Sequence, residues 1–375
     1  MELLWFIPTH GDGRYLATSF GGRECNFCYF QQLALAVDNL GFSGALLPTG
    51  RSCEDAWILA SSLISITRKM YFLVAIRPGL MSPGVAARMA STFDRLSNGR
   101  LQTHVVTGGD PVELAGDGVH LSHDQRYELT DEFLTVWKEI LSGHETNFSG
   151  NHLHIKGGRL LFLPVQSPRF PIWFGGSSSI AKQIAAKHAD IYLTWGETPQ
   201  NVAEKIKSVQ ELAAQQGRTI RFGIRLHIIV RETATEAWEA ANQLIKFVDD
   251  EAITNARKIF DRMDSQGQQR MTQLHNGSRE VLEISPNLWA GVGLVRGGAG
   301  TALVGDPDTV VARMLEYAAL GIDIFILSGY PHLEEAYRVA ELLFPRLPIQ
   351  KINNIDKTEM VSPVGELIGF ENFPK

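Results

Sequence analysis

Short runs rich in β-branched and aromatic residues alternate along this chain with stretches whose apolar residues recur at helical spacing. The runs predict strands over 3–8, 44–48, 71–77, 101–107, 172–174, 190–195, 221–230 and 322–328. Between them the 3.6-residue period predicts helices over 30–40, 54–66, 82–96, 131–141, 179–188, 199–216, 233–249 and 307–319. Eight strand-sized apolar runs with crossover helices predict an α/β fold, a closed (β/α)8 TIM barrel, rather than an open doubly wound sheet.

A barrel of this kind takes about 250 residues, so roughly 125 remain for insertions and tails. The expected organisation is one barrel domain over 1–348, with insertions near 108–127, 148–169 and 252–305, followed by an arm over 349–375. The second insertion reads as a hairpin. The third carries the Gly-rich tract 291–300, which suits a mobile lid with Arg296 as its reaching side chain.

Composition is that of a folded globular protein, with 44% hydrophobic and 20% charged residues. Lys plus Arg number 35 against 41 Asp plus Glu, a net charge of −6 with no long basic run, which speaks against a nucleic-acid partner. The apolar runs are far short of a membrane span, and the first residues lack a basic segment with a small-residue cleavage site, so no membrane association and a cytoplasmic location are expected. Three cysteines, Cys25, Cys28 and Cys53, describe no disulfide framework, and the lone C-x-x-C has no second pair to complete a zinc site, so no metal is expected.

Chemistry in such barrels gathers where the strands end at their carboxyl side. Strand one runs into His10, strand two into Arg51, Cys53 and Glu54, strand four into Thr107, strand five into Gly175-Gly176-Ser177-Ser178-Ser179, strand six into Trp195 and Glu197, and strand eight into Tyr330. Arg225 and His227 stand two apart on strand seven and so share its inward face. An arginine inside a barrel needs an anion. Either a carboxylate of the chain supplies it, with Glu54, Asp55 and Glu197 as candidates, or a ligand does, and spacing leaves both open. His227 beside it is a candidate proton-handling group. The Ser177-Ser178 pair at a helix start suits a phosphate, or simple capping. Arg51 beside Cys53 favours thiolate, but no orienting base can be placed by spacing.

These residues bring a family into view. The stretches Phe6-Ile7-Pro8-Thr9-His10-Gly11-Asp12-Gly13, Pro48-Thr49-Gly50-Arg51-Ser52-Cys53-Glu54-Asp55 and Phe222-Gly223-Ile224-Arg225-Leu226-His227 resemble the two-component alkanesulfonate monooxygenases. Residues 192–197, 287–300 and 327–335 are similar to that family nearly letter for letter, and the resemblance covers about residues 3 to 345. It implies a bacterial-luciferase-like flavin barrel and a homo-oligomer, a homotetramer. It implies reduced FMN delivered by a separate NAD(P)H-dependent reductase, with O2 as co-substrate. It implies the conversion of an alkanesulfonate to an aldehyde and sulfite, for sulfur acquisition. A sulfonate is anionic at every physiological pH, which suits the permanent charge of arginine.

The resemblance further implies Arg225 and His227 in substrate binding and proton transfer, Arg296 on the lid, Trp195 and Tyr330 in the pocket, and Cys53 near the flavin; His10, at the end of strand one, is a further catalytic candidate. Tyr127, Ser177 and Ser178 would meet the flavin phosphate, with Thr107 beside the ring. His104 stands where relatives commonly show Asn, and it too is a candidate flavin contact. For chain length, residues 105–110 and the tail 363–366 resemble a methanesulfonate branch, whereas 113–118 resemble the broader branch; broad alkanesulfonates are the expectation. Two readings from other classes remain, a cofactor-free hydrolase built on Cys53 or a strand-end serine, and a non-catalytic flavin- or sulfonate-binding barrel.

Overall fold

In a computed structural model, in which residues 1–349 are described, eight parallel strands close on themselves in chain order. They are β1 (Glu2–Phe6), β2 (Gly44–Leu47), β3 (Tyr71–Ile76), β4 (Leu101–Val105), β5 (Ile172–Gly175), β6 (Ile191–Trp195), β7 (Arg221–Val230) and β8 (Ile322–Ser328). Each pairs with the next, and β8 pairs back onto β1, with Leu4 opposite Ile326. The fold is therefore a closed α/β TIM barrel, and every expected strand lies in it.

Alternation along each strand divides the core in two. Inward residues Leu4, Phe6, Leu46, Leu73, Trp173, Ile191, Leu193, Ile324 and Ile326 fill the barrel, and the outward residues pack beneath the surrounding helices. Gly223 faces inward on β7, where a Cβ would come within 3.0 Å of the Trp173 ring, so the glycine makes room for the large side chain opposite. The polar caps stand where helices begin, as their free amides demand. Asn26, Asp55, Ser82, Ser178, Thr198 and Asp306 each accept a backbone N–H from the following turn.

The insertions differ from expectation in content. The helix expected over 131–141 begins at His123, because Ser122 and Gln125 form a capping box, and Tyr127 is thereby carried on a helix. The hairpin is present, pairing Thr146–Ser149 with His154–Gly158. The region 252–305 is not one open Gly-rich loop. It holds most of a helix Asp250–Asp261, a second helix Gln266–His275, a buried turn Gly291–Leu294 and a strand Ala302–Gly305. That last strand has a consequence for the mouth. β6 ends with Trp195 opposite Arg225, and from His227 onward the partner of β7 is the strand at Ala302. The expected arm, apart from residue 349, lies outside the described residues. No helix among the described residues is long and apolar enough to cross a membrane.

Candidate active site at the barrel mouth

β7 carries Arg225 to the centre of the mouth, and β1 ends beneath it at Phe6. The guanidinium carbon of Arg225 stands 3.9 Å from the Phe6 ring centroid and that of Arg296 5.4 Å from the same ring. Arg225 is only 7% exposed, and its Nε and Nη2 are buried without a hydrogen-bond partner, as is Nε of Arg296. Burial, then the charge of Arg296, push Arg225 well below the usual guanidinium pKa. A cation–π contact is worth about 2 kcal/mol when desolvated, less than the several kcal/mol it costs to bury an unpaired charge. The mouth is thus built with positive charge left over, and an anion would relieve it.

Of the carboxylates considered for Arg225, Glu54 is exposed and the other two are engaged elsewhere. Glu197 is held by Lys205 and by two bonds from Arg270, and Asp55 caps the helix Ala56–Leu63. Arg225 has no ion pair among the described residues.

His227 lies one alternation above Arg225. Its Nε2 is 3.0 Å from the carbonyl of Ala299, which can only accept, so Nε2 carries the proton and Nδ1 receives the Ser328 hydroxyl at 2.9 Å. Burial, then Arg296 and Arg225, keep the ring neutral. Both ring nitrogens are used inside the protein, so in this geometry His227 ties β7 to the Gly-rich segment and to β8 and offers no free atom for proton transfer. The Tyr330 ring stacks on it at 5.4 Å, with an interplanar angle of 21°. The His10 ring sits 6.0 Å from Phe6 on the solvent side of the mouth; desolvation of the ring, followed by Arg296, His332 and Arg225, lowers it to about 3 even though part of the side chain is open to water.

Beside this cationic cluster lies a cavity of about 300 Å³. His104, Thr107, Tyr127, Ser177, Ser178 and Trp195, five flavin candidates and one pocket candidate from different parts of the sequence, all line it. His104 reaches it because it shares the inward face of β4 with Gln102, which accepts a hydrogen bond from the Trp173 indole. Burial, then Arg225, lower His104 to about 4, so it is a neutral imidazole. One wall is backbone. At Gly175 a Cβ would meet the Leu193 carbonyl at 2.6 Å; at Gly176, with φ +139°, it would meet Ala181 Cβ at 2.6 Å and the Tyr127 hydroxyl at 3.4 Å. The Ser178 hydroxyl accepts from Ala181 N as the helix cap, whereas Ser177 has no such task. Over the opposite side, Trp195 packs within 3.2 Å of where a Gly267 Cβ would stand and 4.0 Å from that of Gly298.

Cys53, expected near the flavin, is not among the residues that line the cavity. It sits in the turn after β2, its amide bonded to the Gly50 carbonyl, while Glu113 of the first insertion lines the cavity instead. Cys25 donates its thiol to the Pro8 carbonyl and Cys28 lies on the first helix. Phe6, Asp12, Ser328 and His332 were not singled out by the sequence. All four lie inside stretches quoted for their likeness, but no local spacing singles them out.

A family model described as luciferase-like monooxygenase matches residues 1–323. Among solved structures, a riboflavin lyase superposes with a TM-score of 0.78 at 18% identity, covering 92% of this chain and 90% of that one. A long-chain alkane monooxygenase gives 0.75 at 21% identity, with 92% and 90% covered. The EDTA monooxygenase of Chelativorans sp. BNC1 gives 0.72 at 17%, with 92% of each chain covered. At these identities the likeness is one of fold.

Proposed function

The chain belongs to the luciferase-like monooxygenase family, and from that premise we propose that it is the oxygenase component of a two-component system that desulfonates alkanesulfonates with reduced FMN and O2, yielding an aldehyde and sulfite. One observation carries the choice of substrate. Two guanidinium groups share the Phe6 ring, with buried N–H groups that no carboxylate among the described residues satisfies. A sulfonate supplies three oxygens and a charge that no pH change removes, and guanidinium groups donate to oxyanions in a fixed fork.

The neighbouring cavity fits a flavin mononucleotide. Its glycine wall at Gly175 and Gly176 admits close approach only because no Cβ is present, and the Ser177 hydroxyl and Tyr127 hydroxyl stand at the start of the helix Ser179–His188, whose amide end favours phosphate. Thr107 and His104 on the β4 side would flank the ring. Bound there, reduced FMN would supply the two electrons that let one oxygen atom of O2 enter the substrate while the other becomes water. The chain's own part is electrostatic and steric. Arg225 and Arg296 hold the anion, Trp195 and the 297–298 backbone cover the cavity, and water is kept from the reacting centre. Under the same reading a separate NAD(P)H-dependent reductase delivers the flavin, and the chain assembles as a homotetramer.

The test is sulfite release with reduced FMN and O2 across C1 to C10 alkanesulfonates. Sulfite in proportion to flavin oxidised supports the reading, and the chain-length profile separates a methanesulfonate enzyme from a broad one. Flavin binding without sulfite at any length would leave a non-catalytic barrel.

A further inference from the structure

A second cluster lies against the same Phe6 ring and is absorbed by none of the roles above. Asp12, in the segment after β1, is buried and accepts four hydrogen bonds. The Tyr29 hydroxyl donates at 2.6 Å, the Gly13 amide at 2.9 Å, the His332 amide at 3.0 Å and the His332 Nδ1–H at 2.8 Å. His332 is 0% exposed, begins the helix His332–Leu343, and lies 5.9 Å from Phe6 and 4.9 Å from Tyr330. Its Nε2 is buried with no hydrogen-bond partner among the described residues.

A cap for the helix start would need only the amide bond. The bond at Nδ1 does something more, because a carboxylate there fixes the tautomer and leaves Nε2 as a lone pair turned away from Asp12. Among the imidazoles His10, His227 and His332, only His332 is oriented by a carboxylate and keeps an unpartnered ring nitrogen. His227 spends both nitrogens within the protein, and the described contacts of His10 include no hydrogen bond to orient it.

We propose that Asp12 and His332 form the proton-accepting pair of this site, with His332 Nε2 taking the proton lost from the carbon that bears the sulfonate. The proposal rests on the functional reading above. In that conversion the carbon gives up its C–S bond and one C–H bond for a C=O bond. Sulfite leaves as a dianion with the C–S electron pair, the C–H pair stays on carbon to join the incoming oxygen, and the second oxygen of O2 becomes water with the two hydrogens of the reduced flavin. One proton is left over. A sulfonate held by Arg225 and Arg296 at Phe6 places its carbon, one bond from sulfur, on the ring that His332 also touches. His332 is the catalytic residue and Asp12 the positioning residue.

The charges that face His332 oppose one another. Burial lowers its pKa, Asp12 raises it, and Arg296 and Arg225 lower it again. Hydrogen bonds from His332 and Tyr29 outweigh burial and hold Asp12 below its ordinary value, with Arg23 at 3.7 Å adding to the effect. His10, His227 and Tyr330 complete the titratable surroundings. The ring is therefore neutral in the resting protein and ready to accept.

The test uses the full chain, FMN reduced by a separate reductase, O2, and octanesulfonate with hydrogen or deuterium on the sulfonate-bearing carbon. His332→Gln keeps the amide that caps the helix and should lower sulfite release about 100-fold or more. It should raise the deuterium effect and leave FMN and octanesulfonate affinities as in the wild type. Added imidazole should restore part of the rate in His332→Ala. Asp12→Asn should lose about tenfold and shift the acid limb of the pH profile, and Asp12→Glu should recover part of both. Independently of turnover, a slowly exchanging downfield proton from Nδ1–H should be seen by NMR in the wild type, vanish in His332→Gln and move in Asp12→Asn. If the wild type releases sulfite and His332→Gln keeps its rate, pH profile and isotope effect, the pair is only a helix cap and the proposal is overturned. If the wild type oxidises reduced FMN but releases no sulfite, the functional reading fails and this proposal falls with it. Should Asp12→Asn not fold, His332→Gln decides alone.

Discussion

Arg225 lies with its guanidinium carbon 3.9 Å above the ring of Phe6 and no carboxylate within reach among the described residues. Replacing buried ion pairs by apolar residues of like size commonly stabilises proteins by about 1–4 kcal/mol, and an unpaired cation is the costlier arrangement. Arg225→Met should therefore raise the melting temperature while weakening alkanesulfonate binding about 10- to 100-fold, the loss of a charged hydrogen bond of about 1.5–3 kcal/mol. Thermal melts and calorimetric titration check the two halves separately. A variant that loses stability together with binding would show that Arg225 is structural.

The glycine wall gives a second outcome. At Gly176 the positive φ and the 2.6 Å approach to Ala181 leave no room for a methyl group. Gly176→Ala should cost about 1–3 kcal/mol of stability and abolish measurable FMN binding by fluorescence quenching, without changing alkanesulfonate binding at Arg225. Retained FMN affinity would place the phosphate elsewhere.

Much of this was legible in the chain. The eight strands were found because each is bounded by turn residues and packed on both faces, so apolar runs of strand length mark them without ambiguity. Arg225 on an apolar strand was conspicuous for the same reason. What could not be read was pairing across long separations. Asp12 and His332 stand 320 residues apart, and no local pattern says that they meet. The freedom of Arg225 from Glu54, Asp55 and Glu197 was equally hidden, since it depends on Lys205 and Arg270 occupying Glu197 first. The helix Gln266–His275 escaped because it buries Gln268, Met271 and His275 rather than an aliphatic stripe.

Acid should destabilise the mouth. His10 and His104 are lowered to about 3 and about 4, and His227 and His332 are lowered too, with burial the first cause in each. A lowered imidazole binds fewer protons folded than unfolded, so its contribution is complete above about pH 6.5 and is lost as pH falls toward the folded value. The melting temperature should decline between pH 6.5 and 4. His104→Asn should flatten part of that decline, by an amount on the order of 1 kcal/mol near pH 4.5. Parallel curves for the variant and the wild type would count against a neutral His104.

Two ion pairs join the first and third insertions over the cavity, and they should not be equal. Arg126 grips both oxygens of Asp264 at 2.7 Å from a nearly buried position, and the Asp264 amide reaches the Gly109 carbonyl at 2.9 Å. Arg262 meets Asp110 from an exposed position, where water screens the pair. Arg126→Ala should weaken FMN binding about tenfold, because Arg126 is the buried member that holds both Asp264 oxygens beside the cavity, whereas Asp110 keeps the Val112 amide when Arg262 is removed. Arg262→Ala should change it less than about fivefold, and only the Arg262 contribution should fade with added salt.

Arg296 differs from Arg225 in how little holds it. Among the described residues its side chain makes one hydrogen bond, to the carbonyl of its own neighbour Gly297 at 3.4 Å, and the next residue, Gly298, is tied by its amide to Gln268 at 2.8 Å and lies against Trp195. The side chain can therefore be removed without disturbing the cavity wall, and Arg296→Ala should bind reduced FMN nearly as the wild type does. What it removes is one of the two charges at Phe6 and the cover that charge draws over the site when an anion is present. Without that cover, water and protons reach the centre where oxygen is reduced. Sulfite released per flavin oxidised should fall severalfold, and hydrogen peroxide should rise to match. Measuring both products in one reaction decides it, because an unchanged sulfite yield would mean that Arg225 alone holds the substrate and that the 291–300 segment closes nothing.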